Sequence, residues 1–269
     1  MDALEQLRKT FFDWQAMADV IPQILTVGLP NTLILAISSA VLGCIFGLVL
    51  AVLGLSHNPL LRWMARIYTD IFRGLPAILT ILLIGLGFGP VVRILTGSTN
   101  PFPLGILALT LMGAAYIGEI FRSGIQSVDK GQLEASRALG FSYTSSMILV
   151  IIPQGIRRVL PALVNQLISL IKDSSLIYLL GLLGSQREIF RIGNDAAANT
   201  GNLSPLVAAG ILYLVLTIPL THLVNFMDNR MRSGRPDKGG GSAATGPSGL
   251  AGQAVVEPVG PASLAGKGN

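Results

Sequence analysis

The stretch QLEASRALGFSYTSSMILVIIP, residues 132–153, gathers Glu134, Arg137 and a run of hydroxyl side chains around Gly140, then turns apolar until it meets Pro153. It sits in a chain of 269 residues that is 51% hydrophobic and only 12% charged, with a mean hydropathy of +0.64. Soluble domains carry about 25% charged residues. A composition this apolar belongs to a membrane protein, and the quoted stretch is then a polar segment outside the bilayer. The apolar blocks on either side of it become spans.

No Asp, Glu, Lys or Arg occurs from Val20 to Leu61, from Gly74 to Val92, from Ile94 to Gly118, or from Ala196 to Met227. A spanning helix needs roughly 20 mostly apolar residues, so each block can hold one. A fifth candidate, Leu160 to Leu183, is apolar except for adjacent Lys172 and Asp173, and follows a basic edge at Arg157 and Arg158. A helix that satisfies its own backbone can carry ionisable groups if they face protein or water. The chain therefore reads as an all-α membrane protein with five transmembrane helices, predicted over residues 28–54, 74–95, 104–124, 160–183 and 205–227.

Orientation follows from Lys and Arg. The segment after the first span holds Arg62, Arg66 and Arg73, the segment after the third holds Lys130, Arg137, Arg157 and Arg158, and the tail holds Arg230, Arg232, Arg235 and Lys238. The opposite-side segments hold only Arg8 and Lys9, then Arg93, then Arg187 and Arg191. The positive-inside rule puts the N-terminus outside and the C-terminus in the cytoplasm. The net charge of +5 thus reads as topology. Nucleic acid is not an expected partner, because the basic residues are spread over three segments without an aromatic-interleaved patch.

The ends read differently from the middle. Residues 1–19 carry Asp2, Glu5 and Asp13 and lack a compact apolar core, so they do not read as a signal peptide. With Leu4, Leu7, Phe11, Trp14 and Ala18 on one helical face, the segment is expected to lie along the outer membrane interface, against lipid. Residues 20–232 form the membrane domain, and 233–269, rich in Gly, Pro, Ala and Ser, are expected to be a disordered cytoplasmic tail.

The quoted stretch lies between the third and fourth spans. Two short helices, residues 129–139 and 142–150, are predicted to meet at Gly140, which permits the left-handed turn of a tight helical hairpin. Phe141 and Tyr143 would follow the turn as outward apolar knobs, which suits a docking surface. A plain amphipathic connector is equally compatible with these residues.

The pattern Glu134-Ala135-Ser136, three residues, Gly140, nine residues, then Val150-Ile151-Ile152-Pro153 resembles the EAA signature of permease subunits in bacterial ABC importers, with Ser in place of the second Ala. Further stretches resemble the polar amino acid uptake group of that family. They are Gly28-Leu29-Pro30-Asn31-Thr32-Leu33, Phe72-Arg73-Gly74-Leu75-Pro76, Ala115 to Ile125 (AYIGEIFRSGI) and Lys172-Asp173-Ser174-Ser175-Leu176. Their order and spacing fit over about residues 20–230.

The resemblance implies a type I importer permease in a bacterial plasma membrane. It would work as a dimer with a second copy or a sister permease, its hairpin acting as the coupling helix in a cleft of a cytoplasmic ATPase. Glu134, Ala135, Ser136, Gly140, Phe141 and Tyr143 are the expected coupling residues. No cofactor is expected in this chain, since it has no G-x-x-x-x-G-K-[ST] phosphate loop and its lone Gly266-Lys267 pair lies in the tail; ATP and Mg would sit on the partner. An external amino-acid-binding protein would deliver the substrate, with Gly184 to Ser204, carrying Arg187, Glu188, Arg191 and Asp195, as its expected landing site. A solvated surface helix is the alternative there.

Lys172 and Asp173 are the one charged pair at membrane depth. Asp173, with Ser174 and Ser175, is expected either to face the substrate pathway and hold an ammonium group, or to tie the fourth span to a neighbour. Lys172 would pack or pair. Glu119 and Arg122 can pair on one helical face, and Arg73 and Arg66 read as interface anchors or coupling contacts. Cys44, the single cysteine, excludes a disulfide within the chain. His57 and His222 show no metal-ligand spacing. Two other classes stay open from the residues alone: an ion-coupled secondary carrier, for which no internal repeat is found, and a membrane enzyme, for which no nucleophile–base or metal constellation is found.

Overall fold

The computed structural model describes residues 3–233, and the expected tail beyond Ser233 lies outside the described residues. Among the described residues the regular elements are helical, and five stretches are long and apolar enough to cross a membrane. The chain opens with α1 (Ala3–Phe11), α2 (Trp14–Gln23), α3 (Leu29–Gly54), α4 (Pro59–Gly74), α5 (Ala77–Thr96) and α6 (Phe102–Gln126). It continues with α7 (Lys130–Ala138), α8 (Tyr143–Ser146), α9 (Ile152–Arg158), α10 (Leu160–Asp173), α11 (Ile189–Thr200) and α12 (Ser204–Ser233). The expected spans correspond to α3, α5, α6, α10 with its continuation, and α12.

Three elements differ from expectation. The N-terminal face is split, because Asp13 accepts from the N–H groups of Gln15 and Ala16 and caps α2. Leu4, Leu7 and Trp14 remain exposed, while Met17, Val20 and Ile24 turn into a buried cluster with Ile189, Ile192 and Ala209. The second hairpin helix does not stop before Pro153. It passes through a π turn, Met147–Ile151, into α9. Proline lacks an N–H and its ring strikes the carbonyl four residues back; widening the helix by one residue lets the Ile152 N–H reach Met147 O instead. The same device, Ile24–Gly28 ahead of Pro30, joins α2 to α3, with the Leu29 N–H on Ile24 O.

The fourth span is the third difference. α10 ends at Asp173 and gives way to a 3₁₀ segment, Ser174–Leu180, closed by Gly181 at φ 80°. Ser174 and Ser175 donate back to the carbonyls of Ile171 and Lys172 at 2.7 Å each, which competes with regular helix continuation. Lys172 and Asp173 therefore lie at a helix end.

α6 is the central helix. Its Leu104, Ala108, Leu109, Met112, Ala115 and Ile117 are buried, with α3, α5, α4 and α10 packed around it. Lipid chains are as apolar as leucine, so helices associate in a bilayer through close van der Waals packing at small residues. Gly47 is such a point between α3 and α6: a Cβ there would stand 2.9 Å from the backbone nitrogen of Gly118. The outer faces of α3, α5 and α12 expose Ile37, Val41, Ile45, Leu83, Leu86, Leu214 and Val215, as lipid-facing surfaces do.

This contact gives a testable magnitude. Gly→Ala inside a helix ordinarily gains about 1 kcal/mol of propensity, whereas overpacking a tight contact costs about 1–3 kcal/mol. Gly47→Ala should lower the thermal midpoint of the purified protein, while Gly210→Ala, where an added Cβ meets nothing within 4 Å, should leave it unchanged or slightly raised. Equal midpoints for the two variants would contradict the packing at Gly47.

Candidate functional site

The hairpin is closed by a defined turn. Gly140 has φ 90°; the Phe141 N–H donates to Ser136 O at 3.2 Å and the Gly140 N–H to Arg137 O at 3.0 Å, the paired bonds of a Schellman motif. Asp129 caps α7 through the Gly131 N–H, and Ser142 caps α8 through the Ser145 N–H. At the base, Arg158 donates to the carbonyl of Ser127 at the C-terminal end of α6, where a cation also meets the negative end of the helix dipole. The hairpin is thus braced at its tip and at its root.

Its outward face carries most of the expected residues. Glu134, Ala135, Gly140, Phe141 and Tyr143 are exposed. Ser136 is not: it is 4% exposed and its hydroxyl donates to Leu133 O, so it supports the hairpin from inside. Leu139, missed in the sequence, is the most exposed apolar side chain there at 81%. Tyr143 meets the ring of His57 edge-on at 5.2 Å, which joins the α3–α4 connection to the hairpin.

Three of the sequence motifs converge on a pocket of about 340 Å³. Phe72 and Leu75 reach it from the α4–α5 junction, Tyr116 from α6, and Gln166, Lys172 and Asp173 from α10. Of the expected quartet only the two charged residues line it. Ser174 is fully buried and Ser175 is bonded back to Lys172 O, because the 3₁₀ segment turns both hydroxyls onto the backbone. Beside the pocket, Arg122 grips Glu119 with two bonds of 2.9 and 2.6 Å. Arg73 lies 3.9 Å from the same carboxylate and 5.4 Å above the Tyr116 ring. The Glu119–Arg122 pair expected from spacing is present, and Arg73 links it to the pocket wall.

At the other end of the bundle, residues 184–204 are anchored by groups that sequence reasoning passed over. Asn31 donates to Ser185 O and Arg187 O at 2.6 and 3.0 Å, and Thr32 accepts from the Ile189 N–H at 3.2 Å. Asn and Thr inside an apolar block were the available signal. Glu188 is completely buried and accepts from the N–H groups of Phe190 and Arg191 at 2.6 Å each and from the Tyr213 hydroxyl at 3.1 Å. It is therefore removed from the expected landing surface. Arg187 and Arg191 both pair with Asp195, at 3.6 and 3.0 Å.

Residues 43–233 match the family described as "Binding-protein-dependent transport system inner membrane component". The chain belongs to that family. As an inner membrane component it is a transporter subunit rather than an enzyme, in keeping with its relatives. It is 36% identical over 221 residues to the arginine transport system permease protein ArtQ of Bacillus subtilis, covering 82% of this chain and 98% of that one. It is 34% identical over 224 residues to the glutamate/aspartate import permease protein GltK of Escherichia coli O157:H7, covering 81% and 98%. A crystal structure of an amino acid ABC transporter with histidines superposes with a TM-score of 0.68 at 30% identity, over 81% of this chain and 98% of the other. The five-span architecture of this inner membrane component is that of ABC importer permeases.

Glu188 lies between the last two spans, and burial pushes its carboxyl up to about 7 against the lowering effect of its hydrogen-bond donors. Folding then favours the protonated acid. The stability it contributes is complete below the ordinary carboxyl range and is lost as the pH rises through about 7. The thermal midpoint should fall across that window in the unaltered permease, and Glu188→Gln, which cannot ionise, should flatten the fall. The same slope in both proteins would overturn this assignment.

Proposed function

We propose that this chain is the membrane-spanning permease of an ATP-driven amino acid importer, driven through its hairpin by a separate cytoplasmic ATPase that holds ATP and Mg. The hairpin carries the reading. A turn fixed by Gly140 and braced at Ser127 presents Leu139, Phe141 and Tyr143 on a polar segment, and exposed apolar side chains on a rigid element suit a cleft in a partner protein. Closure of two ATPase subunits would draw together the hairpins of two permeases, this chain and a second copy or sister chain. Rigid-body rocking of the bundles would then alternate access to the pathway. The N-terminus is outside and the C-terminus inside in this scheme. An external binding protein would approach the end that carries α11, where Arg187, Arg191 and Asp195 form a partly exposed charged patch.

The names of the relatives support an amino acid as the substrate class, and the pocket is chemically suited to one. Lys172 and Asp173 put opposite charges on one wall, as the carboxylate and ammonium groups of a zwitterion require. Charges at membrane depth cost about 2.5–3.5 kcal/mol on insertion scales unless they face a cavity or partner, and the pocket supplies that cavity.

One reconstituted assay tests both parts. Gly140→Val places a β-branched residue at a left-handed φ and should abolish uptake and substrate-stimulated ATP hydrolysis while the protein still inserts. Glu134→Lys should do the same by reversing a charge on the docking face. Asp173→Asn should leave assembly and basal hydrolysis intact and weaken the apparent substrate affinity about tenfold or more, the scale of a lost charge-assisted hydrogen bond. Wild-type coupling in a well-expressed Gly140→Val protein would defeat the docking role, and unchanged substrate stimulation in Asp173→Asn would defeat the pocket assignment.

A further inference from the structure

A second pocket, of about 120 Å³, opens where α4 crosses the C-terminal ends of α3 and α6. Arg62, Arg66, Arg73 and Arg122 line it, against the carboxylates of Asp70 and Glu119. Its volume is well above the roughly 10–15 Å³ of the same kind of volume that a single water needs, which gives room for a tetrahedral anion. The charge count leaves a surplus of two arginines. Two of the four are engaged at Glu119, Arg122 through a two-bond grip and Arg73 at 3.9 Å. Among the described residues neither Arg62 nor Arg66 takes part in an ion pair. The two stand one helical turn apart, at i and i+4 on α4, and so point the same way.

The opposite side of α4 exposes Leu60, Trp63, Met64 and Ile71. A tryptophan on an apolar face beside arginines is the pattern of a helix lying at the membrane–water boundary. Basic pockets between helices at that depth hold phosphate-bearing headgroups, and arginine matches a phosphate with two parallel N–H···O bonds. We propose that the α3–α4–α6 pocket binds a phosphate-bearing anion between Arg62 and Arg66, supplied as the headgroup of an anionic lipid from the leaflet at the hairpin end. The acyl chains of that lipid would lie along the apolar side of α4. Because α4 is joined to α3 by the connection that touches Tyr143, the bound headgroup also steadies the root of the hairpin. The site is separate from the Lys172–Asp173 pocket and does not depend on what the protein transports.

The test is native mass spectrometry of the full-length protein, released from detergent and titrated with phosphatidylglycerol or with phosphatidylcholine. Phosphatidylglycerol should bind more tightly, and the double variant Arg62→Gln, Arg66→Gln should lose about thirtyfold of that preference, the effect of removing two arginines from a lipid surface. Arg93→Gln, at the opposite end of α5, should keep it. Asp70→Asn removes a competing carboxylate and should tighten binding about fivefold, a gain that a poorly folded variant cannot imitate. Displacement of phosphatidylglycerol by millimolar inorganic phosphate would assign recognition to the phosphate alone, and resistance to it would assign it to the whole lipid; both support the site. Equal affinity for the two lipids in the unaltered protein, a preference retained by the double variant, or no tightening in Asp70→Asn would overturn the proposal.

Discussion

A bilayer offers no water to an unpaired backbone N–H or C=O, so every departure from the α-helix inside or beside it needs a substitute partner. Several of the places where this chain departs have an identifiable substitute. Pro30 and Pro153 each remove an N–H from a helix; in the π turns ahead of them the N–H groups of Leu29 and Ile152 bond five residues back, to the carbonyls of Ile24 and Met147. Beyond Asp173 the helix tightens, and the hydroxyls of Ser174 and Ser175 take up the carbonyls of Ile171 and Lys172. At Gly140 the turn closes with two bonds of its own.

These departures coincide with the functional candidates. The end of α10 gives the pocket its charged wall, and the π turn before Pro153 lets one helix run from the hairpin tip at Tyr143 back to the bundle at Arg158. In the proposed coupling, a push on the tip would be carried by this continuous element and by the Arg158–Ser127 bond to α6. α6 in turn supplies Tyr116 to the pocket and Glu119 to the arginine cluster beside it. The helix that receives the hairpin is therefore the helix that lines the proposed pathway.

Much of this was legible in the residues. Charge-free blocks located four spans within a few positions, because insertion into hydrocarbon is a property of composition. Gly140 marked the turn because few other residues adopt its φ. Spacing found Glu119 with Arg122. The inward roles of Ser136 and Ser174 were not legible, since a hydroxyl that bonds to its own helix looks the same in sequence as one offered to a ligand. Neither was the anchoring of residues 184–190 by Asn31, Thr32 and Tyr213, which joins groups more than 20 and up to about 157 positions apart and exists only after the bundle has formed. Glu188 read as a surface charge for the same reason. Asp13 was counted as a charge when its role is to cap a helix.

The central claim, that the hairpin docks on an ATPase, can be tested by placing a cysteine at its most exposed apolar position. Cys44 is the only native cysteine, so Cys44→Ser gives a clean background for Leu139→Cys and, at the other end of the bundle, Asp195→Cys. In assembled transporter treated with a short thiol crosslinker, Leu139→Cys is expected to join covalently to the ATP-hydrolysing subunit and Asp195→Cys to remain unlinked to it. An assembled, active complex in which Leu139→Cys gives no such adduct, or in which Asp195→Cys does, would contradict the docking of the hairpin.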